Sequence, residues 1–240
     1  MKSLKSIGET MSNVNLVGLT KPSGITGCST AEELVAYAAR VSNPDNQNHP
    51  ESAPRLLRYL IKHGHWSPFE MVNITMEIRT TRDIARQILR HRSFSFQEFS
   101  QRYAVVEDFY YREARLQDTK NRQNSIELEG AEFFFGKGGN KTPNERLYED
   151  WNMKQAIVLD ASKKAYKWAL DNGIAKEQAR AVLPEGNSVS TLYMAGNLRS
   201  WIHYCELRRG HGTQKEHMIV AEQCWEIIKQ HFPSVAEAVE

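Results

Sequence analysis

Val72, Ile74, Met76 and Ile78 alternate without a break with Asn73, Thr75, Glu77 and Arg79. Side chains on an extended chain point to opposite faces in turn, so this segment reads as a strand with one buried and one polar face. A half-buried strand belongs in a sheet covered on one side, and the flanking segments have the period of helices that can cover it. Upstream, Val14 to Leu19 reads as a first strand. Thr30 and Glu33 form a capping-box signature for a helix through Val41, and Leu56, Leu57, Leu60 and Ile61 recur at helical spacing up to a stop at Gly64. Downstream, Thr81 can cap a helix from Arg82 to about His91, with Ile84, Ala85, Ile88 and Leu89 on its buried side.

The segment RSFSFQEFSQRY has no helical period and is expected to be a loop leading into a strand near Tyr103 to Val106. Residues 116–146 turn polar and glycine-rich. They read as an exposed excursion, longer than the ~12–15 residues of a structureless loop. Helices are expected over Leu147 to Asn172, Lys176 to Leu183, Asn197 (as cap) to Arg209, and Gln214 to His231, with a strand over Val189 to Met194. No internal repeat or linker divides the 240 residues. Helices and a few strands in no regular alternation predict one α+β domain, a small mixed or antiparallel sheet packed by several helices.

A net charge of +2 is too small for general nucleic-acid or membrane binding, so any basic function must come from local clustering. The three cysteines, Cys28, Cys205 and Cys224, match no zinc or disulfide framework and indicate a reducing, cytoplasmic setting, the host cytoplasm if the source is a virus. Residues 1–12 lack the apolar core of a signal peptide and read as a flexible leader, with Met11 as an alternative start. No apolar run approaches the ~18 residues of a membrane span.

The densest chemical signal is the set of six arginines from Arg79 to Arg102, with no lysine among them. A planar guanidinium suits bidentate contact with phosphate, whereas lysine acts as a point charge. Arg82 and Arg86 lie a turn apart, at the spacing of exposed helix charges, and that reading is preferred for Arg82. Arg90, Arg92 and Arg102 flank a hydroxyl-rich loop carrying Glu98, an arrangement suited to a nucleotide. With Phe94, Phe96 and Phe99 the same cluster also has the makings of a nucleic-acid-binding module. His63 and His65, and His211 and His217, are not at metal-ligand spacings, so no metal site is expected.

Arg90, His91, Arg92 and, after seven further residues, Ser100 resemble the RHR-x7-S signature of flavin-dependent thymidylate synthases. KHGHWSPFE at 62–70, QARAVLP at 178–184 and NLRSWIHYCELR at 197–208 are similar to further blocks of that family, in the family's order. Met71 and Gln97 stand where the family often has histidine and asparagine. The resemblance implies methylation of dUMP to dTMP, with FAD as cofactor and NADPH and 5,10-methylenetetrahydrofolate as co-substrates. It implies no nucleic-acid or membrane partner, and a homotetramer whose subunits share active sites. Ser67, Arg90, His91, Arg92, Glu98, Asn197, Arg199 and His203 inherit cofactor contacts, with Ser42 a weaker one. Gln87, Arg90, Glu98, Ser100, Gln101, Arg102, Arg180 and Arg208 inherit substrate contacts, and Arg208 the catalytic role. Cysteine-based activation of uracil needs an accessible, acidified thiol, whereas Cys205 and Cys224 fall among helix residues and read as small buried hydrophobes.

Overall fold

The computed structural model describes residues 12–129 and 141–240. All but Ser12 of the expected leader, and residues 130–140 of the expected excursion, lie outside them. The first half holds β1 (Asn13–Leu19), α1 (Ala31–Ala39), α2 (Ala53–Lys62), β2 (Asn73–Thr81), α3 (Arg82–Ile88) and β3 (Ser95–Glu98). There follow β4 (Arg115–Gln117), β5 (Ser125–Glu127), α4 (Pro143–Asp171), α5 (Lys176–Ala179), β6 (Val189–Asn197), α6 (Leu198–Arg209), α7 (Lys215–His231) and α8 (Pro233–Val239). The class is α+β, with an antiparallel sheet ordered β1-β2-β6-β3 and a separate β4-β5 hairpin. Among the described residues no helix is long and apolar enough to cross a membrane.

The alternating strand is the centre of the sheet. β2 pairs with β6 along its whole length, from Asn73 opposite Asn197 to Thr81 opposite Val189. Ile74, Met76 and Ile78 lie on the covered face with Leu192 and Met194 of β6, against Trp201, Ile202, Cys205, Val220, Cys224 and Trp225 of α6 and α7. Each such side chain stabilises the fold by ~1.5–3 kcal/mol through burial. The opposite face is polar, and Glu77 there accepts from Tyr193 Oη at 2.9 Å and Asn15 Nδ2 at 3.3 Å.

Several expectations change. The loop after His91 contains β3, and no strand forms at 103–106, where the chain makes a turn and an irregular segment. Backbone pairing of Ser95–Glu98 with Ala195–Leu192 supplies the order that the segment's local pattern lacks. Thr81 precedes α3 with extended backbone, yet its hydroxyl bonds Asp83 Oδ1 at 2.6 Å and caps nothing. The helix itself ends at Ile88, short of His91. The 116–146 excursion is partly ordered by the β4-β5 hairpin, and α4 begins at Pro143, where Thr142 and Glu145 form a capping box. The helix expected through Leu183 tightens to a 3₁₀ turn at Arg180–Val182, and α8 follows Pro233, which takes the first helical position.

α4 carries two stripes. Tyr148, Gln155, Leu159, Tyr166 and Ala169 are buried, and a second small core joins Tyr166 and Ala169 to Val106, Ala179 and Leu183. Leu147, Trp151, Val158 and Trp168 form another apolar line at near-heptad spacing and remain 40–62% exposed.

Candidate active site

β6 runs straight into α6, and Asn197 both ends the strand and caps the helix, its Oδ1 accepting from Ser200 N at 2.8 Å. Leu198, Trp201, Ile202 and Cys205 then turn to the core, which leaves Arg199 and His203, one turn apart, on the open side. They line a cavity of about 510 Å³ with Asn197, Glu70, His91, Ser93, Phe94, Ser200, Tyr204 and Leu207. The 3₁₀ turn Ser67–Met71 brings Glu70 to an ion pair with Arg199, and Trp66 packs edge-on to His203 at 4.6 Å. Phe94 lies so close over Gly196 that a Cβ there would fall 2.4 Å from its ring, so the cavity wall depends on a missing side chain.

The turn after α3 points His91 and Phe94 inward and leaves Arg90 and Arg92 exposed. Arg208 Nε donates to His91 Nε2 at 2.9 Å, so that nitrogen carries no proton. Burial, reinforced by the charges of Arg208 and Arg90, pushes His91 down to about 4 and keeps it neutral. Behind it His217, fully buried, bonds Tyr204 Oη at 3.1 Å through Nε2 and Gln87 Oε1 at 3.3 Å through Nδ1. Burial, then Arg208 and His91, pushes His217 down to about 3. Arg209 instead donates to Glu222 at 2.9 Å and lies over the Trp225 ring.

A second group gathers near α5. Arg102 pairs with Glu177 at 3.3 Å, Arg180 Nε donates to the Glu177 carbonyl at 3.3 Å, and Ser100 Oγ accepts from Arg102 N at 3.3 Å. Gln101 is buried, its Nε2 unpaired among the described residues. Glu98 accepts from Ser190 Oγ at 2.9 Å and lies 3.6 Å from Arg82 Nη1. The expectation for Arg82 is therefore overturned, because it is buried between Glu98 and Glu185 rather than exposed. Arg86 is half exposed.

The chain thus joins His91, Asn197, Arg199, His203, Arg208 and Gln87 around one region, and Ser100, Arg102 and Arg180 around another. Glu98 pairs with Leu192, five residues along β6 from Asn197, so these two positions lie ~17 Å apart along the strand at ~3.3 Å per residue. Ser67 and Ser42 are exposed and do not line the cavity. Tyr204, His217 and Glu70 were not singled out from sequence. Their partners lie 13 to 130 residues away, and of the three only Glu70, inside the KHGHWSPFE block, and Tyr204, inside the NLRSWIHYCELR block, carried a local signal.

The cavity suits a flavin dinucleotide in its chemistry. Phe94, Tyr204 and Leu207 offer apolar walls, His91 and Asn197 offer polar groups, and Arg199, paired with Glu70, lies in the first turn of α6, where the helix end favours an anion. Cys205 and Cys224 are fully buried, and burial raises both thiols far out of the reactive range. Pairing of Arg79, Arg82, Arg86 and Arg102 with carboxylates neutralises four of the six arginines of the cluster, which weakens the nucleic-acid reading.

A family model described as "Thymidylate synthase complementing protein" matches residues 25–234. The chain is 48% identical over 229 residues to a probable flavin-dependent thymidylate synthase of Paramecium bursaria Chlorella virus 1, covering 95% of this chain and 99% of the relative. It is 47% identical over 230 residues to a flavin-dependent thymidylate synthase of Synechocystis sp., again covering 95% and 99%. Its fold is similar to that of a UMP/dUMP methylase from Streptomyces cacaoi bound with 5-Br dUMP, at a TM-score of 0.74 and 29% identity, covering 95% and 93% of the two chains.

Proposed function

The chain belongs to the flavin-dependent thymidylate synthase family, and on that premise we propose how its residues divide the work of converting dUMP to dTMP. It is a methyltransferase and a flavoprotein that uses FAD. When bound, FAD supplies hydride transfer, with NADPH as reductant and 5,10-methylenetetrahydrofolate as carbon donor. His91, Asn197, Arg199 and His203 hold it in the cavity, while Ser67, Arg90 and Arg92 lie on exposed turns available to its phosphates. Glu98 stands at the junction of cofactor and substrate. Gln87, Ser100, Gln101, Arg102 and Arg180 bind dUMP.

Arg208 activates the base. A guanidinium fixed at the uracil N3 edge stabilises the N3-deprotonated form, and the added ring charge makes C5 a better carbon nucleophile. The observation that carries this reading is the neutral partner of Arg208. His91 anchors the guanidinium at 2.9 Å without cancelling its charge, and among the described residues no carboxylate pairs with it. Arg209 next to it is neutralised by Glu222.

Because the two residue groups gather on different elements of one chain, around Arg208 and around Glu177, we read the complete site as shared between subunits of a homotetramer. The exposed apolar line on α4 supports such an interface, since lone exposed tryptophans are common but an aligned set marks a contact. Anaerobic tritium release from 5-tritiated dUMP, with folate and NADPH, tests the reaction. Turnover must require FAD and survive without any cysteine. Light scattering tests the assembly, and a monomer with full turnover refutes the shared site.

A further inference from the structure

We propose that His217 is a positioning residue for Arg208, acting at the end of a one-way hydrogen-bond chain that starts from the buried carboxylate of Glu216. The inference rests on the reading of Arg208 as the group that meets uracil.

Glu216 is 1% exposed and held by Arg112 Nη1 at 3.3 Å and by Arg115, so it stays ionised and can only accept. That fixes the next amide, because Gln214 must present Nε2 to it, at 2.9 Å. Gln214 Oε1 is then left to accept from Gln87 Nε2 at 2.8 Å, which turns Gln87 Oε1 toward His217. Facing an acceptor, His217 Nδ1 must carry the proton, so Nε2 is bare and accepts a hydrogen bond from the Tyr204 hydroxyl. Reversing any link would set an acceptor against the Glu216 carboxylate. The proton positions of four side chains therefore follow from one ionised group.

The far end of this chain reaches the catalytic arginine through ring contacts. Tyr204, anchored by its hydroxyl, stands edge-on to His91 at 4.9 Å with the planes at 86°, and so sets the plane of the imidazole. That plane aims Nε2 at Arg208 Nε. The backbone carbonyl of Gln87 accepts from Arg90 N at 3.4 Å, so the residue that carries the relay also begins the turn that carries His91. His217 has no place in the inherited site residues. Its function is to hold the ring that holds the guanidinium.

The test is a double-mutant cycle on the FAD-loaded enzyme, pairing His217→Phe with Arg208→Ala and reading kcat, KM for dUMP and flavin content. His217→Phe keeps a ring but loses both polar bonds, and kcat is expected to fall ~10–100-fold, the scale of a small misplacement of a catalytic group. Flavin content should change little, and the loss should be larger in kcat than in KM for dUMP. In the Arg208→Ala background the same substitution should cost nothing further. His217→Asn, whose amide still donates to Gln87, should recover part of the loss. Equal losses in both backgrounds, or an unchanged kcat, overturn the proposal. If His217→Phe does not fold, Tyr204→Phe runs the same cycle by deleting only the Oη–Nε2 bond. An Arg208→Ala enzyme with unchanged kcat sinks the reading of Arg208 itself, a failure separate from additive losses.

Discussion

Replacing Arg208 and Arg209 one at a time separates catalytic charge from helix-end charge within a single turn. Both lie in the last turn of α6, where a cation gains ~0.3–1 kcal/mol from the helix dipole, so that contribution cancels in the comparison. Arg208 is anchored by a neutral imidazole, and its charge is therefore free to act on a ligand. A unit charge ~4 Å from an anion contributes about 4 kcal/mol at an effective dielectric near 20. Loss of one preorganised donor typically costs ~2.7–4 kcal/mol, so Arg208→Ala should lower kcat ~10²–10³-fold. Arg209 is paired with Glu222 at the surface and stacked on Trp225, contacts worth ~1–2 kcal/mol of stability together and nothing to the reaction. Arg209→Ala should therefore lower the urea midpoint and leave kcat within about twofold. Tritium release measures turnover, and the flavin-to-protein ratio checks that the cofactor stays bound. Equal, small effects from the two substitutions would reduce Arg208 to a helix-end charge.

Other consequences can be measured alongside. A Cys28→Ser, Cys205→Ala, Cys224→Ala enzyme should keep most of its dTMP formation once folded, and complete loss of turnover in that protein would restore a thiolate mechanism. Alanine is the right replacement at the two buried positions, where a serine hydroxyl would need a partner. Among the described residues Ser100 Oγ is bonded to Arg102 N and to no base, so Ser100→Ala should raise KM for dUMP and leave measurable kcat. Abolished kcat at an unchanged KM would make Ser100 a nucleophile. The unfolded chain protonates its histidines near 6.5, whereas His217 in the folded state resists down to about 3. Unfolding therefore takes up a proton between those values, and stability should fall as pH drops through that window, by about 2 kcal/mol from pH 6.5 to 5. Urea titrations at several pH values should show a shallower fall in His217→Phe, and an identical slope would refute the assignment.

What could be read from sequence followed the range of the forces involved. β2 announced itself because alternation is a local consequence of one covered face, and Asn197 because a cap bonds a backbone N–H three residues away. The capping box at Thr142 and Glu145 was equally local and was hidden only by the polar, glycine-rich run before it. β3 left little local trace, since its order comes from pairing with a strand nearly a hundred residues later. Arg82 looked like a helix-surface charge because its acidic partners, Glu98 and Glu185, approach it only through the tertiary fold. The family blocks brought His91 and Arg208 forward as separate contacts. Their hydrogen bond, and the histidine behind them, exist only once α3, α6 and α7 meet.

The contact of Phe94 with Gly196 has a consequence for how this sequence can drift. A methyl group at position 196 would meet the ring at 2.4 Å, and the ring is itself part of the cavity wall. Neither residue is free to vary alone, because an added carbon at one must be matched by a smaller side chain at the other. Gly196→Ala should expel Phe94 into the cavity and weaken flavin binding, and Phe94→Leu in the same chain should restore it. Across related chains, glycine at 196 and an aromatic at 94 should be inherited as a pair, gained or lost together.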